Sequence, residues 1–334
     1  MKGFFLASAI ACIALRATPS DATSMPMPPV LLAPVAVDDA VMVAYGETDS
    51  HRIASLDAGT GRLRWEKTFP EVYFTGMLCA GQGLLCANTR SDGSYLLRTN
   101  DGTLKTRLSD AYVWAGTQKL ILLTTWDREP NKWPSDTLTA LDVSTLRPLW
   151  RKPLAPWRVF RVEPRKDVIE VMLVRGWAEL GTLMRTQLTL RAASGETISR
   201  SKPLQRASNR TIDDLVPKGL PSPVRTRLST LLARKSSVFL GCTRIVRQGD
   251  LFLGGNLEDA TASSVVYGIR ADTGRIAWRR AAPGLKDIAL RGSRLFVAYG
   301  LPAPYAKSRT KSLMALDARN GRVLWRVRLG RRLK

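Results

Sequence analysis

The stretch Ala315-Leu-Asp-Ala-Arg-Asn-Gly-Arg-Val-Leu-Trp325 decides the fold, because the chain repeats it. The same pattern stands as Ser55-Leu-Asp-Ala-Gly-Thr-Gly-Arg-Leu-Arg-Trp65, Ala140-Leu-Asp-Val-Ser-Thr-Leu-Arg-Pro-Leu-Trp150 and Gly268-Ile-Arg-Ala-Asp-Thr-Gly-Arg-Ile-Ala-Trp278. Two weaker copies, Leu96 to Thr106 and Thr189 to Ser199, lack the final Trp. Aligned on their second residues, the copies fall at 56, 97, 141, 190, 269 and 316, at intervals of 41, 44, 49, 79 and 47 residues. Four of these intervals match one supersecondary unit of roughly 40 to 50 residues, the scale of a propeller blade.

Each copy leads with apolar residues into a polar turn and leaves through a second alternating stretch, the pattern of a hairpin. Gly61, Gly102, Gly195, Gly274 and Gly321 stand where such a turn needs a positive φ. Leu146 holds that place in the third copy, which predicts a turn of different construction. Further strand-like runs precede the hairpins, such as Val41-Met-Val-Ala-Tyr45 and Arg294-Leu-Phe-Val-Ala-Tyr299. The expected fold is therefore all-β, a β-propeller of six four-stranded blades, with seven as the alternative.

The 79-residue interval holds about 35 residues beyond one unit, and they read as a basic, partly helical insertion over 200–235. Ser222-Pro223 resembles a helix N-cap with proline in the first turn, and Val224, Leu228, Leu231 and Leu232 follow on one face. Nine basic residues against Asp213 and Asp214 give this segment +7. Arg225, Arg227, Arg234 and Lys235 are its candidate contacts for an anionic partner; the alternative is a solvated charged face on a docked helix.

The pattern Ala-x-Asp-x-x-Thr-Gly-x-x-x-Trp resembles the tryptophan-docking motif of the pyrroloquinoline-quinone-like (PQQ-like) β-propeller repeat family, over residues 30 to 330 or so. The resemblance implies that Trp65, Trp150, Trp278 and Trp325 pack between adjacent blades, with Thr106 and Ser199 marking degenerate ones. In form the chain is also similar to the propeller lipoproteins of the outer-membrane β-barrel assembly machinery, a family with eight blades, which implies a protein partner in the cell envelope. Quinone-dependent dehydrogenases of the wider family carry adjacent cysteines and a Ca²⁺ site, and neither is recognisable here. Asp57, Asp142 and Asp317 recur with the turn, so a turn hydrogen bond explains them without a metal. No catalytic residue, cofactor or metal ligand is assigned, and a non-catalytic scaffold is expected, with a quinoprotein dehydrogenase the lesser alternative.

The 334 residues carry 51 Lys and Arg against 28 Asp and Glu, a net charge of +23. Such a charge favours anionic polysaccharide or lipid head groups as further partners. The single histidine, His51, excludes His-rich metal sites, and no Ser/His/Asp triad can be built without it. Residues 1–22 read as a signal peptide, with Lys2, an apolar run from Gly3 to Leu15, and Ser20 and Ala22 before the break. Residues 23–334 are then the propeller domain, periplasmic, monomeric and not transmembrane, and export disfavours nucleic acid as a partner. Ala9-Ile-Ala-Cys12 resembles a lipobox, so a lipid anchor through Cys12 is the alternative. A two-residue loop at Gln82-Gly83 would set Cys79 opposite Cys86 within disulfide reach; two buried thiols are the other reading. Trp126 to Trp133 and Pro302 to Lys311 read as loops able to serve as contact sites, and Trp157 and Trp177 lie outside the repeat.

Overall fold

The computed structural model describes residues 30–47, 50–90, 93–126, 136–175, 184–205, 220–233, 241–242, 246–257, 264–300 and 311–330. Among them stand six antiparallel sheets, each laid down in simple chain order, which fits six blades. The signal segment with Cys12, the loops 127–133 and 302–310, Trp177, Arg234 and Lys235 lie outside the described residues. The chain divides into two compact units, residues 1–72 with 210–334, and residues 73–209.

The first unit holds sheets one, five and six. Sheet one comprises Ala40–Glu47, Ser50–Asp57 and Leu63–Pro70, preceded by a first strand broken into Val30–Leu31 and Val35–Val37. Sheet five is built the same way: Gly241–Cys242 and Val246–Gln248 both pair with Leu251–Leu257, and Val265–Arg270 and Ile276–Ala281 follow. Sheet six runs Leu285–Arg291, Arg294–Tyr299, Lys311–Asp317 and Val323–Leu329. Every sheet thus takes all its strands from consecutive sequence.

The second unit holds sheets two, three and four, which end on Leu104–Leu108, Pro148–Pro153 and Thr197–Arg200. The last of these continues as Leu204–Gln205, which pairs with the same neighbour, Met184–Arg191.

Buried residues run consecutively along the central strands because both sheet faces are covered, and period-two alternation sends neighbours to opposite sides. On sheet six, Met314 and Leu316 join Leu253, Val266 and Trp278 of sheet five, whereas Leu313 and Ala315 join Val41, Val43 and Leu56 of sheet one. In the second unit, Ile121 and Leu123 pack with Leu84, Cys86 and Leu96 of sheet two, and Leu122 packs toward Ile169, Val171 and Leu188 of sheet four.

The recurring hairpin has one construction throughout. In the first copy Asp57 N–H donates to the Arg62 carbonyl and Gly61 N–H to the Asp57 carbonyl, each at 2.8 Å. The register then shifts by one residue as the fourth strand begins, and the shift recurs in all six sheets. Leu146 overturns the expectation of a different turn. It adopts φ 58°, its N–H donates to the Asp142 carbonyl at 2.8 Å, and Asp142 N–H donates to the Arg147 carbonyl at 3.0 Å. Turn geometry therefore tolerates a side chain, and a second constraint must keep glycine in the other copies.

At Gly61, Gly195 and Gly321 that constraint is an indole. A Cβ on Gly321 would lie 2.5 Å from Trp278 Cε3, and one on Gly195 would lie 2.7 Å from Trp150. We therefore expect Gly321→Ala to lower stability by about 3 kcal/mol, from the left-handed backbone and displacement of the ring together. Gly292→Ala, at φ 54° with nothing within 4 Å of its Cβ position, should cost only about 1 kcal/mol in the same urea titration.

Candidate functional site

Each Trp of the repeat begins on a fourth strand, where alternation turns it away from the solvent-facing residues beside it. Trp150 Nε1 donates to the Ala192 carbonyl at 2.9 Å, Trp278 Nε1 to Ala318 at 3.2 Å, and Trp325 Nε1 to Ala58 at 3.1 Å. In each case the acceptor lies in the turn of another sheet, three residues before the glycine beneath the indole. Burial of the ring and satisfaction of its one donor are met together. Trp325 carries this contact from the last sheet to the first, from residue 325 to residues 58 and 61. Trp65 sits half-buried on Leu63–Pro70, opposite Ser55.

Where the indole is missing, other groups bridge neighbouring sheets. Sheet two has Thr106 at the docking position, and buried Asn88 links it to sheet three: its Nδ2 donates to the Val113 carbonyl at 2.7 Å, and its Oδ1 accepts from Val113 N–H at 2.8 Å. This bond is made where the first strand of sheet three slips register, so it pairs backbone groups at the irregularity. Asp136 makes a like bond at a junction that keeps its indole, its Oδ2 accepting from Val159 N–H at 2.6 Å beside the corresponding slip in sheet four, so there the clasp accompanies Trp150 and does not replace it. Neither residue belongs to the repeat pattern, so nothing in the sequence marks it.

The turn of sheet five is covered by a helix. Helix α1, Ser222–Ala233, starts one residue earlier than a Ser222 cap implies, since Arg225 N–H donates to the Pro221 carbonyl. Its first turn lies on Gly274, whose Cβ would fall 2.2 Å from the Pro223 carbonyl oxygen. Leu220, Val224 and Leu228 pack on Tyr267 and Ile269, the face of sheet five opposite Trp278. Arg227 Nε donates to the Gly274 carbonyl at 3.1 Å, just as Arg280 Nε donates to the Gly321 carbonyl at 2.8 Å beside Trp278. The helix thus makes the contacts on this turn that a docking tryptophan and its arginine make on sheet six. Of the anion-contact candidates, Arg227 is part-buried against this turn, and Arg225 lies half-exposed on the same helix.

Residues 189–334, less than half of the chain, match the family described as outer membrane protein assembly factor BamB. The repeats are PQQ-like propeller repeats. Among solved structures, the β-propeller domain of the trilobed protease from Pyrococcus furiosus is similar at TM-score 0.53 and 9% identity, over 91% of this chain and 98% of that one. Acylaminoacyl peptidase from Pyrococcus horikoshii is similar at TM-score 0.55 and 9% identity, over 89% and 52%. BamB from Moraxella catarrhalis aligns at 16% identity and TM-score 0.38, over 81% and 82%. Likeness at this level establishes the fold, a β-propeller, and nothing of activity. No curated protein matches the chain.

The fourth strands of these PQQ-like repeats share a surface character. Leu104, Leu149, Ile198, Leu204, Ile276 and Leu324 are the exposed large hydrophobic residues among those described, and all six lie on a fourth strand. The same strands carry eleven Lys and Arg residues against one acid, Glu66. The position after the docking residue is Arg in five of six repeats. Three of these guanidinium groups lie over aromatic rings: Arg107 on Tyr95, Arg200 on Trp157 and Arg326 on Tyr299.

Titratable groups of the repeats are shifted for structural reasons. Arg64 binds both Asp39 and Asp57, and this contact, with Thr60 N–H and hydroxyl donation, holds the Asp57 carboxyl well below the usual range. Asp142 is lowered by the Ser144 hydroxyl and by Thr145 N–H. Both turns use the carboxylate as a backbone acceptor. Among the described residues no group of three or more His, Cys, Asp or Glu is placed to hold a metal ion. Cys86 is a buried free thiol pushed up to about 12 by burial. The strand register sets it opposite Leu78, with Cys79 opposite Leu85, because the loop is Gly81-Gln82-Gly83 rather than two residues. That one-residue offset removes the direct opposition on which the disulfide reading rested, and Cys86 agrees with the reading as a buried thiol.

His51 is buried and lowered to about 4, first by burial and then by the nearby Lys311 charge; Lys311 Nζ donates to the Gly46 carbonyl. The unfolded chain takes up this proton below about 6.5, whereas the folded chain does not until about 4. Stability should therefore fall by on the order of 2 kcal/mol as pH drops through that window. His51→Gln should flatten the decline in thermal melts. Leu228→Ala should cost roughly 2 to 4 kcal/mol through the cavity left against sheet five, an outcome that chemical denaturation checks.

Proposed function

We propose that this protein is a non-catalytic β-propeller scaffold of the cell envelope that holds a protein partner. The observation that carries the reading is the match of residues 189–334 to the BamB assembly-factor family, on a fold whose docking tryptophans are all engaged in blade packing where their contacts are described. A signal peptide over 1–22 and a periplasmic, monomeric mature chain complete this reading, with Cys12 anchoring as its variant. No helix among the described residues is long and apolar enough to cross a membrane.

A second reading is favoured by the charge of +23. Arg225, Arg227, Arg234 and Lys235, together with the basic fourth strands, would bind anionic polysaccharide or lipid head groups. Salt separates the two readings, because contacts between exposed charges are screened while apolar and backbone contacts persist.

The tagged mature chain, used as bait in an envelope extract, should retain one protein in constant ratio at moderate salt. Recovery of acidic polymer alone, lost on raising salt and abolished by Arg225→Gln with Arg227→Gln, would favour the second reading. Retention of neither would reject both.

A further inference from the structure

We propose that the fourth strand of sheet six, Val323–Leu329, is a docking edge that accepts an acidic, extended segment of a partner protein as an added β-strand. The inference rests on the scaffold reading and names the surface and the partner chemistry.

Among the described residues strand order makes Val323–Leu329 terminal in its sheet, since it pairs with Lys311–Asp317 on one side and ends the order there. A terminal strand offers a row of backbone donors and acceptors to an incoming chain. The fourth strands are not equal in this respect. Pro148–Pro153 has proline at both ends, Leu63–Pro70 ends in proline, and the edge of sheet four is broken between Arg200 and Leu204. Proline withholds a donor and a break interrupts the ladder, both recognised means of blunting an edge. Val323–Leu329, with seven residues, is the longest fourth strand free of proline and of breaks.

The side chains select the occupant. Trp325 is turned onto sheet one, with Val327 in the same core cluster, which anchors the strand. Leu324, Arg326 and Arg328 lie on the opposite face and are exposed, giving an alternation of one apolar and two cationic groups. Arg326 is held over Tyr299, so its guanidinium is oriented before any partner arrives. A second copy of this edge would set like charges opposite one another, which opposes self-pairing. An extended segment alternating acidic and apolar residues would meet the arginines with carboxylates, Leu324 with an aliphatic group, and the edge with its own backbone. A lipid surface would satisfy the charges but not the row of peptide groups.

The test uses the mature full chain and a fluorescent seven-residue peptide alternating Glu and Val, with a heptaglutamate peptide for comparison. Saturable binding of the Glu/Val peptide, at least tenfold tighter than heptaglutamate, with slowed amide exchange across Val323–Leu329, is expected. Arg326→Glu with Arg328→Glu should weaken binding at least tenfold while the far-ultraviolet spectrum and melting temperature stay within the wild-type range. Leu324→Asp, which leaves both arginines, should weaken it as well. Equal binding of heptaglutamate, undiminished binding by both variants, or unchanged exchange at this strand would each overturn the assignment. If the wild-type bait holds an envelope partner and the double variant holds it equally, the edge assignment fails while the scaffold reading stands. If the wild-type bait holds nothing, the scaffold reading fails whatever the peptide does.

Discussion

An indole lying on a glycine is the contact on which the rest of this structure depends. A four-stranded sheet with both faces apolar cannot remain alone in water, and it needs neighbours at a set distance and angle. Trp150, Trp278 and Trp325 supply that setting because each ring fills the gap and its N–H finds a carbonyl three residues from the glycine. The requirement is local and repeated, so it can be met at some junctions and substituted at others. Leu146 shows the dependence from the other side: where the preceding copy ends in Thr106 and carries no indole, the glycine is absent, although the backbone still takes the left-handed conformation.

Substitution at the weak copies explains features that otherwise look unrelated. Asn88 clasps the backbone of Val113 where sheet two lacks its Trp. Helix α1 lays Pro223 on Gly274 and points Arg227 at its carbonyl, repeating with a helix the contacts that Trp278 and Arg280 make on Gly321. The insertion that breaks the spacing of the repeats is thus part of the packing. Its basic residues are divided accordingly, with Arg227 drawn into the structure and Arg225 half-exposed.

Charge is distributed with equal regularity. Eleven basic residues against one acid on the fourth strands place like charge along the edges most exposed to mispairing. The same placement leaves apolar groups such as Leu149 and Leu324 beside arginines, a surface suited to an acidic partner and unsuited to another copy of itself. Other titratable groups serve the fold instead: burial lowers His51 and raises the Cys86 thiol, and the turn aspartates, at the surface, bind backbone.

The sequence alone determined the repeat, the hairpin at its centre, a propeller of six or seven blades and the helix beginning near Ser222, because periodicity and turn chemistry are local properties. The tertiary structure decided the rest. A left-handed Leu146 is invisible in sequence, since a leucine there ordinarily argues against that turn, and only packing shows that no ring needs its place. The direct opposition of Cys79 and Cys86 failed on a single loop residue, because one step of register exchanges every cross-strand partner. Asn88, Asp136 and the coverage of Gly274 by Pro223 join residues distant along the chain. Such contacts leave no periodic trace, for what selects them is the gap that remains when the sheets come together.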